Sequence, residues 1–477
     1  MLLYAKNLIS KDFIKLIPWI IIIFSIGTQP SDFQITENSL VNIFNKFRLM
    51  LAIITSFVII LFFFVKISYF FFKKENKMNI SAEYYIYFLF LIYFFFQILG
   101  YFLNFTDLKN VSFEYNIYLI VLSFAVISYF FLIKESLPSE TLKFFLFFLF
   151  FLICFSGVIL TIVHISKSNL DSANYFSLYN SVLSQHQFFL NHELPRVTGI
   201  SRTLSILNIF LIYLFFYTKK TKIKFTILFF VILLSILIFA FQSRGTILCY
   251  IFSVFFLIFL LKKEMLKDKL LILFFSIIFS YTAYETLRYF QFESIKKEKN
   301  ISIFSPLKSE KKINLPFDKS KIKNIILEKN RMLDFTSSGR IDLWKQSMQE
   351  FNKKKIFGYG PQADRYLLKK NLISNNTNNV SNGFIYSLLC GGYLGFIIFL
   401  LIIFKLLHIF YKSLFVNKIY EKKRNFTEKF CLTIFLFFLM RVNIENSFAV
   451  FGIDFIIIFI AISLFLLENK NYNQLKL

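Results

Sequence analysis

Four stretches follow one another in the second half of the chain: Ser337-Ser338-Gly339-Arg340-Ile341-Asp342-Leu343-Trp344, Phe357-Gly358-Tyr359-Gly360-Pro361, Val380-Ser381-Asn382-Gly383-Phe384 and Leu388-Leu389-Cys390-Gly391-Gly392-Tyr393-Leu394-Gly395-Phe396. They close a polar interval, Arg288 to Asn382, that holds no run long enough to cross a bilayer, and they open the apolar run after it. The first half of that interval is rich in lysine (Lys296, Lys297, Lys299, Lys308, Lys311, Lys312). In the second half, Ser337 or Ser338 can cap a helix whose apolar positions Ile341, Trp344, Met348 and Phe351 recur at helical spacing. Such a helix is amphipathic and is expected to lie on an apolar surface. Arg340 falls in its first turn, where free backbone N–H groups and the helix dipole already favour an anion. The local alternative is that Arg340 only caps or pairs nearby.

On either side of this interval the chain is apolar. With 57% hydrophobic and 21% aromatic residues over 477 positions, it reads as an all-α polytopic membrane protein, a helical bundle with one large loop. About twelve spans are expected, near 13–29, 47–72, 82–105, 115–133, 144–165, 201–217, 226–241, 245–261, 270–287, 383–410, 430–446 and 448–467. The organisation is therefore residues 1–287 with nine spans and a shorter loop near 166–200, the large loop 288–382, and residues 383–477 with three spans and a tail. Gln242-Ser243-Arg244-Gly245 makes a tight hairpin of the 226–261 pair.

The formal charge of +26 does not mark a nucleic-acid binder. Many lysines outside the large interval sit in short loops (Lys73, Lys74, Lys77; Lys219 to Lys224; Lys262 to Lys269; Lys418 to Lys423), where they orient the chain and meet lipid headgroups. That pattern places both termini in the cytoplasm and the loops 166–200 and 288–382 on the periplasmic side of an inner membrane. The first apolar run follows Lys11 and Lys15 without a small-residue cleavage site, so it is read as a span and not as a signal peptide. Cys154, Cys249, Cys390 and Cys431 all lie in apolar runs, and His164, His186, His192 and His408 are scattered, so neither a metal site nor a cofactor is expected.

The outward side, poor in lysine along its short loops, carries arginine at a few places: Arg196, Arg202, Arg244, Arg340 and Arg441. Guanidinium groups suit planar, bidentate recognition of oxyanions, so the set points to a shared anionic ligand, although any one of them can simply snorkel.

In their order and spacing, Pro195-Arg196-Val197-Thr198-Gly199, Gln242-Ser243-Arg244-Gly245, Ser338 to Trp344, Phe357 to Gly360 and Ser381-Asn382-Gly383 resemble the O-antigen ligase/polymerase family of bacterial membrane glycosyltransferases. The resemblance runs over roughly residues 190–455. It implies metal-independent transfer of glycan from a polyprenyl-diphosphate carrier, with Arg196, Arg244 and Arg340 on the diphosphate. The family's ligases carry a His-Asn pair where this chain reads Ser381-Asn382, and serine is no general base near neutral pH. The departure favours the polymerase branch, whose acceptor is another sugar hydroxyl; a ligase acting on lipid A-core is the alternative, and a flippase for lipid-linked sugars a more distant one. The expected partners are a carrier-linked oligosaccharide, the bilayer and a chain-length regulator. Glu445, beside Arg441, is the first candidate for the proton acceptor, ahead of Glu193 and His192. Gly358 and Gly360 are expected to form a tight turn at the loop's foot, and Gly391, Gly392 and Gly395 a small-residue helix face for close packing.

Overall fold

The computed structural model describes residues 12–25, 40–73, 85–104, 113–167, 187–188, 192–193, 197–241, 243–261, 265–287, 289, 340–368, 380–416, 425–449 and 452–474. Arg196, Arg288 and most of the 288–339 interval lie outside them. Apart from two strands of two residues each, Gln187–Phe188 and His192–Glu193, the regular structure there is helical, as long unbroken apolar runs require in lipid.

In chain order the helices are α1 (Ile17–Phe24), α2 (Leu40–Lys73), α3 (Tyr85–Leu103), α4 (Phe113–Lys134), α5 (Ser139–Lys167), α6 (Val197–Tyr217), α7 (Thr221–Ala240), α8 (Arg244–Leu260) and α9, which begins at Leu266–Leu273 and runs on to Leu287. Then come α10 (Arg340–Phe351), α11 (Ala363–Leu367), α12 (Gly383–Tyr411), α13 (Phe426–Arg441) and α14 (Ile453–Gln474). Every apolar run read from the sequence coincides with one of these helices, and the 226–261 pair is indeed two helices, α7 and α8. Among the described residues, eight helices are long and apolar enough to cross a membrane by themselves. The protein is a multi-pass, all-α membrane protein.

Contacts divide the chain into two units. One comprises residues 1–153, 189–192 and 339–477; the other comprises residues 154–188 and 193–338. In the second unit, Asn208 of α6 donates to Ser235 Oγ of α7 (2.7 Å) and to Tyr250 Oη of α8 (3.0 Å), a polar tie among otherwise apolar helices.

The first unit holds the unexpected element. Hydropathy reads 383–415 as a single 33-residue run, yet the helix is broken at Gly392 (φ 63°, ψ −166°). The rings of Phe384 and Phe399 lie 5.5 Å apart. In a straight helix those positions would be separated by about 22 Å, so the arm 383–391 folds back on the arm beginning at Tyr393 as a V. The expected single span near 383–410 is thus corrected: its first nine residues form a separate arm. Apolarity alone cannot register the fold, because both arms bury apolar side chains.

Backbone from elsewhere fills the apex of the V. Tyr359 N donates to Leu389 O (3.0 Å) and Gly360 N to Cys390 O (2.9 Å). In return Lys355 O accepts from Tyr393 N (2.7 Å) and Ile356 O from Leu394 N (3.3 Å). The amides and carbonyls freed by the break are therefore paired with residues 355–360, as a break among apolar helices demands. The approach leaves no room for side chains: a Cβ on Gly392 would overlap the Ile356 carbonyl, and one on Gly358 would stand 2.6 Å from Gly392 N. Gly358 and Gly360 have φ of 68° and 94°, so the expected turn is present. The small-residue face of α12 does serve close packing as expected, Gly391 and Gly395 against Gln97 and Phe96 of α3, while Gly392 meets the backbone of residues 356–358.

Candidate functional site

At the open end of the V, one turn gathers several of the residues singled out in the sequence. It follows α13 and spans residues 441–447. Its carbonyls are engaged one after another: Arg441 O accepts from Ile444 N and Glu445 N (both 2.9 Å), Val442 O from Gly383 N (2.8 Å), Asn443 O from Asn382 Nδ2 (3.1 Å) and Ile444 O from Arg340 Nη1 (3.3 Å). Asn382 also caps α12, its Oδ1 accepting from Phe384 N (2.9 Å) and Ile385 N (3.1 Å). Ser381, immediately before the cap, takes a left-handed backbone (φ 47°).

Into this turn Arg340 brings the first residue of α10. Its Nη2 lies 3.8 Å from Glu445 Oε1, with the two side chains 30% and 14% exposed. Arg340 and Glu445, more than a hundred positions apart in sequence, therefore share one partly open site, with Asn382 against the same turn. Arg441, singled out with Arg340 in the sequence and in the same unit, points elsewhere. Its Nε lies 3.9 Å from Asp454 Oδ2 of α14, at only 3% exposure, and neither Nε nor Nη1 has a hydrogen-bond partner. The sequence neighbour of Arg441 at the turn, Glu445, is thus paired with Arg340, and Arg441 with Asp454.

Helix α10 forms where its periodicity predicts, but its buried face is rotated from the expected one. Leu343, Ser347 and Phe351 are buried and Trp344 partly so, while Ile341 and Met348 are exposed. Ser347 tolerates burial because its hydroxyl donates to Leu343 O (2.7 Å) within the same helix. Trp344 Nε1 donates to Val380 O (2.8 Å), and the Phe351 and Tyr393 rings meet edge-on at 5.1 Å, so α10 lies along the 383–391 arm. At the apex end, Asn104, which follows α3, donates from Nδ2 to Gly358 O (2.5 Å) and to Gly100 O (3.2 Å).

Sequence reading missed Asp454, Asn104 and Gly100. An acidic residue at the head of the last apolar run was a legible signal for Asp454. For the other two no local pattern exists, since their partners lie some 250 positions away. Arg202 sits in the second turn of α6 and Arg244 at the first residue of α8, both in the second unit. Arg196 is outside the described residues, as are the side chains of His192 and Glu193. Among the described residues, no three His, Cys, Asp or Glu side chains gather as a metal centre would require.

No curated protein matches the chain. Residues 228–400 match a family model described as O-Antigen ligase. Within that stretch fall Arg244, Arg340, Gly358, Gly360, Ser381 and Asn382, together with the broken part of α12. Motif order and family model thus agree, and over residues 228–400 the chain resembles the O-antigen ligase/polymerase family.

Proposed function

We propose that the protein polymerises surface-polysaccharide repeat units at the periplasmic face of the bacterial inner membrane, using a polyprenyl-diphosphate-linked donor. The observation that carries this reading is the pairing of Arg340 with Glu445 beside Asn382, at a partly exposed site. A sugar hydroxyl of the acceptor attacks the anomeric carbon of the donor. Its proton passes to the Glu445 carboxylate, while the bond to the diphosphate breaks and its electrons remain on the phosphate oxygen. Arg340 neutralises that growing charge, a preorganised electrostatic contribution. Arg196, Arg202 and Arg244 are proposed as further phosphate-binding groups on the chemistry of guanidinium alone. Arg441, closed in with Asp454, is assigned to supporting the turn, in place of the direct diphosphate contact that its position in the sequence suggested.

Ser381 in place of the histidine of the family's ligases supports polymerase over ligase. The pairing of the backbone freed at Gly392 argues against a flippase, since the broken helices of transporters leave such groups for a substrate or ion. Purified protein in bilayers, given carrier-linked repeat units, is expected to lengthen them with neither metal nor nucleotide added. A strict requirement for a divalent ion would sink the mechanism. In a deletion strain, single-repeat caps without a ladder mark a polymerase, whereas carrier-linked polymer that never reaches the core marks a ligase.

A further inference from the structure

Arg340 is one end of a lever whose other end is fixed far from the chemistry. Helix α10 runs from Arg340 to Phe351, about 17 Å at helical rise, and passes directly into residues 352–360. At its tip, the two contacts from Arg340 reach Ile444 and Glu445. At its base, residues 355–360 are seated in the break of α12 by four backbone hydrogen bonds. Beyond α12, the side chain of Asn104 reaches into that seat, beside Tyr101 of α3, which packs against Gly360. One amide group supplies both of its bonds, to Gly358 O from across the fold and to Gly100 O of its own helix, and the residue is 7% exposed. Gly100 completes the fit, because a Cβ there would overlap the Phe357 carbonyl.

We infer that Asn104 is a positioning residue for Arg340: by holding Gly358 against α3 it fixes the base of α10, and with it the height and direction at which the guanidinium meets its anion. The inference rests on the proposed role of Arg340. Its geometric part is independent of that role. An acceptor-only side chain at 104 would face two carbonyls with no donor, so the seat should loosen while the shape of the residue is kept.

The test uses the full-length protein in nanodiscs, with spin labels at Met348→Cys on α10 and Ile397→Cys on the second arm of α12. Both positions are exposed, and the four native cysteines are buried. The parent protein is expected to give one narrow distance distribution. Asn104→Asp, with Asn104→Leu as a second variant in case the first misfolds, should broaden it at least about twofold. Chain growth should fall about tenfold or more, and in an Arg340→Lys background Asn104→Asp should add less than about a twofold further loss, because both changes act through one group. An unchanged distribution overturns the inference. So does a broadened one with full activity, or losses that simply multiply in the double variant. If Arg340→Ala proves fully active, it is the role proposed for Arg340 that fails, and the distance measurement alone then decides whether Asn104 anchors the lever.

Discussion

At the scale of single residues, the neighbouring pair Ser381 and Asn382 divides its duties. Asn382 works through both ends of its amide, capping α12 with the oxygen and binding the 441–447 turn with the nitrogen. Asn382→Ala removes a cap and a cross-link, so it should cost about 1–2 kcal/mol in thermal unfolding and most of the activity. Ser381→Ala should leave chain growth within a few-fold of the parent, because in the proposed mechanism its hydroxyl takes no proton; a loss of a hundredfold would return position 381 to the chemistry. Arg340→Ala and Glu445→Gln should each lower turnover by about 10²–10³-fold at unchanged protein level, measured as elongation of carrier-linked repeats. The residue types of this site were legible in the sequence, because guanidinium and carboxylate groups stand out in an apolar chain. Their pairing was not. Proximity in sequence suggested Arg441 with Glu445, whereas the fold gives Glu445 to Arg340 and Arg441 to Asp454.

At the scale of elements, α12 shows where hydropathy stops being informative. Length and apolarity placed the helix correctly, and the Gly-Gly pair within it signalled close approach, but nothing local revealed that the approaching group was residues 355–360. Gly392→Ala should therefore be severe. It combines a left-handed backbone, which strains an L side chain by about 1–3 kcal/mol, with direct overlap on the Ile356 carbonyl. Gly395→Ala meets only ordinary contacts, the nearest atoms being 3.9 Å from the added carbon, and should be nearly neutral. Thermal unfolding of the two variants in the same detergent checks the contrast; equal midpoints would mean that the break is not tightly filled. The rotated face of α10 has a similar origin. Its spacing announced a helix, but a serine that satisfies its own hydroxyl can occupy an inward position that apolarity would assign to Met348.

For the whole molecule, the helical class and the order of the apolar helices were readable because lipid forces every backbone amide to be paired within its own segment; of the roughly twelve spans expected, eight of the described helices are long and apolar enough to cross by themselves. Sidedness rests on the lysine pattern of the short loops, and cysteine accessibility provides its test. A cysteine replacing exposed Lys219, between α6 and α7, is expected to react with an impermeant maleimide only after the membrane is opened from the cytoplasmic side. Labelling of intact cells at that position would invert the topology and remove the periplasmic site. The 16 residues of α13 rise only about 24 Å, short of the roughly 30 Å hydrocarbon thickness, so Arg441 and the turn that follows it need not reach the bilayer surface.

The filled break also imposes an order on biosynthesis. Residues 355–360 leave the ribosome before Gly391 and Gly392, so the stopper exists before the gap it must fill. Until the two meet, the carbonyls of Leu389 and Cys390 and the amides of Tyr393 and Leu394 have no protein partner, a costly state within lipid. On the proposed topology, the nascent arm 383–391 settles among its neighbours only after the preceding polar interval has crossed the membrane, so maturation of the proposed site would wait on the loop that precedes it.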